Sequence, residues 1–239
     1  MKQAYESARR WILSSLKHFL LPKRLELALR HCAAPVVVEV GANDGKTGDP
    51  LHHLIRSNRR SKALLIEPIP YLFERLQSTY SSSPHCVLAN VAIAPASGTM
   101  PIYFIDPEAR DYFPELPSYF EELASFDIGK ITSVLGDRGA SLLRERIVRT
   151  LPLRALLAET SITNVDLLQI DTEGYDYEVL KTFPFDLSLP VLVCFEHSHL
   201  SESDRAAAIS LMIRHGYSVE KWGKDFVCVR KSRLPVRSR

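Results

Sequence analysis

Val36-Val37-Val38-Glu39-Val40 followed by Gly41-Ala42-Asn43-Asp44-Gly45 is an apolar, β-branched run that stops in a turn bracketed by two glycines. Five such residues are too few for a helix. Because the run is apolar with almost no alternation, it predicts a strand covered on both faces, as in a parallel sheet. Working outward, Asp49-Pro50 supplies an N-cap and first helical position for a helix over about 50–59. A strand is expected at Ala63-Leu64-Leu65-Ile66, a helix over about 71–80, and a third strand at Cys86 to Ile93. Ser97-Gly98 turns the chain into a further strand, Met100 to Ile105.

Beyond residue 146 the same rhythm returns. Strands are expected at Arg146 to Leu151, Val165 to Ile170 and Val191 to Phe195, with helices at Leu153 to Glu159, Tyr175 to Thr182 and Ser203 to His215. Tyr217 to Trp222 and Phe226 to Arg230, joined through Gly223-Lys224-Asp225, read as a closing β-hairpin. Strands alternating with helices predict an α/β fold, a Rossmann-like, doubly wound, mostly parallel sheet ending in an antiparallel hairpin. The domain is expected over residues 35–232. Residues 106–146 break the rhythm with Pro107, Pro114 and Pro117 and several aromatics, the pattern of a lid or recognition insert.

The chain has 239 residues, 46% hydrophobic and 24% charged, with 30 Lys and Arg against 28 Asp and Glu. That composition excludes disorder and collagen-like repetition, and a net charge of +2 gives no electrostatic case for a nucleic-acid partner. Cys32, Cys86, Cys194 and Cys228 are widely spaced, as expected of buried thiols in a reducing, cytoplasmic setting. Residues 1–34 carry seven basic residues against two acidic ones, with Trp11, Ile12, Leu16, Phe19 and Leu20 at helical spacing. Two readings of this amphipathic segment stand: peripheral contact with a membrane, or a helix packed across the main domain. Residues 233–239 form a basic tail.

In an open parallel sheet, ligands bind outside the carboxyl ends of the strands. Those ends carry Glu39 and the Gly41–Gly45 turn, Glu67, Asn90 with Val91 and Ala92, Asp171-Thr172-Glu173-Gly174, and Glu196-His197-Ser198-His199. Glu67 is placed to accept hydrogen bonds from a ribose diol, and Asn90 to Ala92 to line a purine pocket. The glycine spacing lacks the G-x-G-x-x-G of dinucleotide sites, and Asp44 would repel a pyrophosphate. Carboxylates instead suit a ligand with sulfonium and ammonium groups, which favours S-adenosylmethionine. A nicotinamide oxidoreductase and a non-catalytic binding module of the same fold are the alternatives.

Val38 to Gly45, Ile66-Glu67-Pro68, Asn90 to Ile93 with Ser97-Gly98, and Asp166 to Gly174 together resemble the FkbM-type family of class I S-adenosylmethionine-dependent methyltransferases over about residues 35–230. Gln169 stands where the family usually has Lys, and Tyr175-Asp176 where it usually has Ala-Glu. The resemblance implies O-methylation, commonly of a sugar hydroxyl in a polysaccharide, glycolipid or natural product. It further implies that Glu39 meets the methionine ammonium, that Gly41, Asn43 and Gly45 shape the turn, and that Glu67 takes the ribose hydroxyls. Asn90 and Ala92 would border adenine, and Asp171 would stand near the methionine end.

Methyl transfer to an alcohol depends on alignment and water exclusion, together with a base that removes the hydroxyl proton. Asp171 and His197 are the leading candidates for that base, with Glu173 and His199 beside them. Glu173 has an alternative role at the N-terminus of the following helix, and His199 an alternative as a solvated loop residue. A divalent ion, where one is used, would be expected on Asp171, Glu196 and His197. Tyr112, Phe113, Tyr119, Phe120 and Phe126 of the insert are suited either to stack on sugar faces or to form a small core of their own.

Overall fold

The computed structural model describes residues 32–109, 124–135 and 142–231, together with Leu29 and Phe120. The amphipathic pattern of residues 11–20, the basic tail, and Tyr112, Phe113 and Tyr119 lie outside them. In chain order the elements are β1 (Val36–Val40), α1 (His52–Ser57), β2 (Lys62–Ile66), α2 (Pro70–Thr79), β3 (Cys86–Ala89), β4 (Ala92–Ile93) and β5 (Gly98–Ile105). They continue with β6 (Ala124–Ser125), α3 (Ile128–Leu135), β7 (Leu143–Leu151), α4 (Leu153–Glu159), β8 (Leu167–Ile170), α5 (Asp176–Thr182), β9 (Leu192–Glu196), α6 (Glu202–Arg214), β10 (Tyr217–Trp222) and β11 (Asp225–Arg230).

Seven strands form the main sheet in the order β10-β11-β9-β8-β1-β2-β3. β1 pairs in parallel with both β2 and β8, β2 with β3, and β8 with β9. β11 is antiparallel to β9 and to β10, so the hairpin inserts its second strand between β9 and its own first strand. The strands expected at Val36, Ala63, Cys86, Val165 and Val191 thus take their places in a doubly wound sheet, whereas the one expected at Arg146 to Leu151 is part of β7 in a second sheet. One face packs against Leu156, Val179, Leu180, Ala208 and Met212 of α4, α5 and α6. The other, bearing Val37, Leu167 and Cys194, packs against Leu54 and Ile55 of α1 and Leu76 of α2. Leu29 is buried in that second core, 4% exposed.

Two expectations need correction. The apolar run Cys86 to Ile93 is not one strand: it breaks at Asn90-Val91, β3 joining the main sheet and β4 a second one. The Asn90 side chain holds the break by donating to the Glu67 and Pro68 carbonyls at 2.8 and 3.1 Å. The helix expected over 50–59 is only His52–Ser57, with Leu51 at its N-cap. Asp49 accepts from the Leu51 N–H through one oxygen and lines a cavity instead of capping the helix.

The second sheet, β4-β7-β5-β6, was not foreseen as a separate unit. It docks through Ile102, Phe104, Val148 and Ala92 of β4 onto Ile69 and Leu72, beside the carboxyl ends of β2 and β3. Ile105, Ala109, Phe120, Ile131 and Leu142 make a small core of its own. Of the insert's aromatics, Phe120 is core, whereas Phe126 reaches the cavity.

Candidate active site

A cavity of about 330 Å³ opens at the carboxyl ends of β1, β2 and β8. That volume is at the lower end of small-molecule sites. Its walls come from Glu39 to Asn43, Thr47 to Pro50, Glu67 to Ile69, Val91 to Ile93, and Gln169 with Asp171 to Glu173; Leu72, Ile102, Ala124 to Phe126, Tyr175 and Lys224 complete it. The parallel sheet dictates this gathering: Glu39 lies opposite Gln169 in the β1–β8 register, and each chain turns away just beyond.

The β1 turn is built for close approach. Gly41 has φ +86°, and a Cβ there would stand 1.8 Å from the Asp171 carbonyl oxygen, so only glycine lets the two strand ends meet. Gly45 does not line the cavity; a Cβ on it would run into Leu76 and Tyr80, so it serves the docking of α2. Asn43 has φ +51° and donates its backbone N–H to Glu67 at 2.9 Å. Asp44, expected to repel a phosphate, has both oxygens occupied by Lys46 and Thr47 of its own turn.

The acidic groups differ sharply. Glu67 is buried and accepts the N–H groups of Asn43 and Ile69 at 2.9 and 2.8 Å, yet burial still raises its pKa to about 7. Glu39 is pushed well above the ordinary range, first by burial, then by the Asp49 charge and a side-chain hydrogen bond with Asp49, and last by the Asp171 charge. Gln169 Oε1 is a buried acceptor without a hydrogen-bond partner in this structure, and Glu39 Oε2 and Asp49 Oδ2 have none beyond the proton that the two carboxyl groups share. Ala92 lines the cavity, while Asn90 sits behind it as the clamp on the Glu67 and Pro68 carbonyls.

Asp171 lies at the mouth, where Lys224 donates to its Oδ2 at 3.2 Å. Burial raises Asp171 to about 7; Lys224 opposes the rise, and Glu196 and Glu173 add to it. Lys224 comes from the hairpin turn, also stands 3.4 Å from Glu196 Oε1, and was not anticipated as a site residue. Glu173 lines the cavity with φ +52° and pairs with His199 Nδ1 at 2.8 Å. His199 Nδ1 also meets Glu196 Oε2 at 3.0 Å, and the two hydrogen bonds, that to Glu173 first, raise its pKa to about 10. Burial works against ionisation of Glu196, but His199, Lys224 and Ser198 together hold it at about 2.

His197 is placed elsewhere. It is 4% exposed, packs its ring on Phe226 with centroids 4.4 Å apart, and does not line the cavity. Burial, with the Lys221 charge next, lowers its pKa and favours the neutral ring. The expected trio of Asp171, Glu196 and His197 is therefore not assembled. Among the described residues, Glu173, Glu196 and His199 are the set whose ligand atoms converge, within 4.8 Å of one another, and they already satisfy each other as an ion-paired cluster. At the rim, Phe126 meets Tyr175 edge to face at 5.0 Å.

A doubly wound sheet with an antiparallel strand set between two parallel neighbours, holding a carboxylate-rimmed cavity at its strand ends, defines the class I fold of S-adenosylmethionine-dependent methyltransferases. The chain belongs to the FkbM methyltransferase family, whose domain model, Methyltransferase FkbM domain, matches residues 39–219. It is a methyltransferase. No curated protein matches it at a significant level. Among solved structures it is similar to the Methanococcus jannaschii fibrillarin pre-rRNA processing protein, with 10% identity, 83% of this chain and 67% of that one covered, and a TM-score of 0.46. It is also similar to the METTL16 methyltransferase domain, with 10% identity, coverage of 87% and 65%, and a TM-score of 0.45. A third is a precorrin-6y C5,15-methyltransferase from Geobacter metallireducens, with 12% identity, coverage of 85% and 71%, and a TM-score of 0.41. At these values the likenesses say nothing of what this chain acts on. No helix among the described residues is long and apolar enough to cross a membrane.

Proposed function

We propose that the chain transfers a methyl group from S-adenosylmethionine to a hydroxyl of a carbohydrate-containing acceptor. The observation that carries this reading is the meeting of Glu39, Glu67 and Asp171, from three strand ends, around one cavity with apolar walls. Buried acceptors without donors fit a ligand that brings its own N–H and O–H groups. Glu39 and Asp49 would hold an ammonium group, and Glu67, fixed by two backbone N–H groups, a ribose diol. Ile69, Leu72, Val91, Ala92 and Ile93 offer an apolar wall for a purine.

When bound, the cofactor supplies an electrophilic methyl on a sulfonium whose positive charge disperses during transfer. The chain's contribution is alignment and exclusion of water. Asp171 at the mouth is the group we assign to take the proton released from the acceptor hydroxyl as the new C–O bond forms. Lys224 holds one of its oxygens in place. The carbohydrate reading is supported by the rim, where half-buried Phe126 and Tyr175 present ring surface beside the polar Glu173 and His199. The test is transfer of a labelled methyl group to a panel of glycosides, with Asp171→Asn as control. Label in the wild-type product, alkali-stable as an ether must be, supports the proposal. Label that appears only on carboxyl or amine acceptors refutes it.

A further inference from the structure

Gln169 was not among the expected binding residues, yet its surroundings single it out. It lies on β8, is 3% exposed, lines the cavity, and has an Oε1 atom without a partner. In the parallel register it stands directly opposite Glu39 of β1, which is 4% exposed and whose Oε2 has no partner beyond the proton shared with Asp49. Asp49, on the loop before α1, lines the same cavity and shares that proton with Glu39, its Oδ2 having no other partner. Neighbours on adjacent strands point to the same face, so Glu39 and Gln169 project together towards the side covered by α1 and α2.

Buried acceptors without donors are costly, and such a group left in a native protein asks for an occupant. Glu39 and Asp49 share a side-chain hydrogen bond, so one proton lies between these two carboxyl groups, and a positively charged donor group that replaces it satisfies both carboxylates and Gln169 Oε1 together. A primary ammonium has three N–H donors and one positive charge, and no acceptor of its own. A ribose hydroxyl brings one donor and no charge, and an adenine amino group two donors and no charge.

We propose that Gln169 is a ligand-binding residue whose Oε1 accepts one N–H of the ligand's primary ammonium group, with Glu39 Oε2 and Asp49 Oδ2 accepting the others. This rests on the S-adenosylmethionine reading and deepens it: the amino-acid end of the ligand is read by Gln169, the nucleoside end by Glu67.

Two probes separate these ends without any acceptor. S-Adenosylhomocysteine carries the ammonium; 5′-methylthioadenosine keeps the nucleoside and thioether but lacks the amino-acid part. Calorimetric titration of wild-type protein, Gln169→Met and Gln169→Glu with both compounds gives the answer. Gln169→Met removes the acceptor while keeping the length of the side chain. It is expected to weaken S-adenosylhomocysteine about tenfold or more, the scale of a hydrogen bond to a charged group, and to leave methylthioadenosine within about twofold. Gln169→Glu retains an acceptor oxygen and is expected to bind S-adenosylhomocysteine at least as well as the wild type. Equal weakening of both compounds by Gln169→Met, or of neither, overturns the proposal. So does loss of S-adenosylhomocysteine binding in Gln169→Glu, which would mean that the amide donates to Glu39 instead. A wild-type protein that binds neither compound refutes the cofactor reading itself.

Discussion

Substitution of Gly41 by Ala tests how tightly the strand ends are fitted. The new Cβ would lie 1.8 Å from the Asp171 carbonyl oxygen, whereas real Cβ contacts are essentially never under 3.0 Å, so the two ends must part by at least the difference. That movement strains the Asp171 N–H to Val40 carbonyl bond of 2.9 Å and the Gly41 N–H to Ile66 carbonyl bond of 3.0 Å. Losing one such buried bond costs about 1–3 kcal/mol. Holding alanine at a positive φ adds about 1–2 kcal/mol. Gly48 is the internal control: it has φ +68°, but a Cβ there meets nothing within 4 Å. Alanine also stiffens the unfolded chain, and that term is the same at both sites. Urea unfolding should therefore show Gly41→Ala destabilised by about 3 kcal/mol and Gly48→Ala by only about 1 kcal/mol. Gly41→Ala should also bind S-adenosylhomocysteine more weakly. Equal losses in the two variants would refute the argument that the strand ends touch.

Glu67→Gln places an amide N–H against one of two backbone N–H donors, so calorimetry should show S-adenosylhomocysteine binding weakened about tenfold or more. Asn90→Ala removes both bonds to the Glu67 and Pro68 carbonyls; it should lose about 1 kcal/mol in urea unfolding and weaken the same ligand, although Asn90 does not line the cavity. His199 is raised to about 10 by Glu173 and Glu196, above its ordinary 6.5. Its contribution to stability is therefore full below about pH 6.5 and lost as pH rises towards 10. The difference in urea midpoint between wild type and His199→Gln should shrink over that range; a constant difference would contradict the ion pairing. Phe126→Ala removes the edge contact with Tyr175 and should raise the KM for a glycoside acceptor while leaving S-adenosylhomocysteine affinity unchanged.

The strands of the main sheet were legible because short apolar runs such as Val36–Val40 and Leu192–Glu196 give way abruptly to turn and polar residues. The same abruptness identified Glu39, Glu67 and Asp171, since in a parallel sheet the end of a strand is also the edge of the ligand crevice. What stayed hidden depends on partners distant in sequence. The break at Asn90 lies inside an apolar run, and its cause is a pair of carbonyls more than twenty residues earlier. Lys224 reads as an ordinary hairpin turn until the fold brings it to Asp171, 53 residues away. His197 and His199 look equivalent in the sequence. Only the packing of Phe226 on one ring and the pull of Glu173 and Glu196 on the other separate them. Gln169 was visible as a departure from the family pattern, but its unpartnered oxygen beside Glu39 is a property of register, which a single strand does not display.

The most direct test of the central claim is calorimetric titration of the wild-type protein with S-adenosylmethionine, S-adenosylhomocysteine and, as a control, NAD. Saturable micromolar binding of the first two with none of the third is the predicted result. Binding of NAD alone, or of none of the three, would contradict the account.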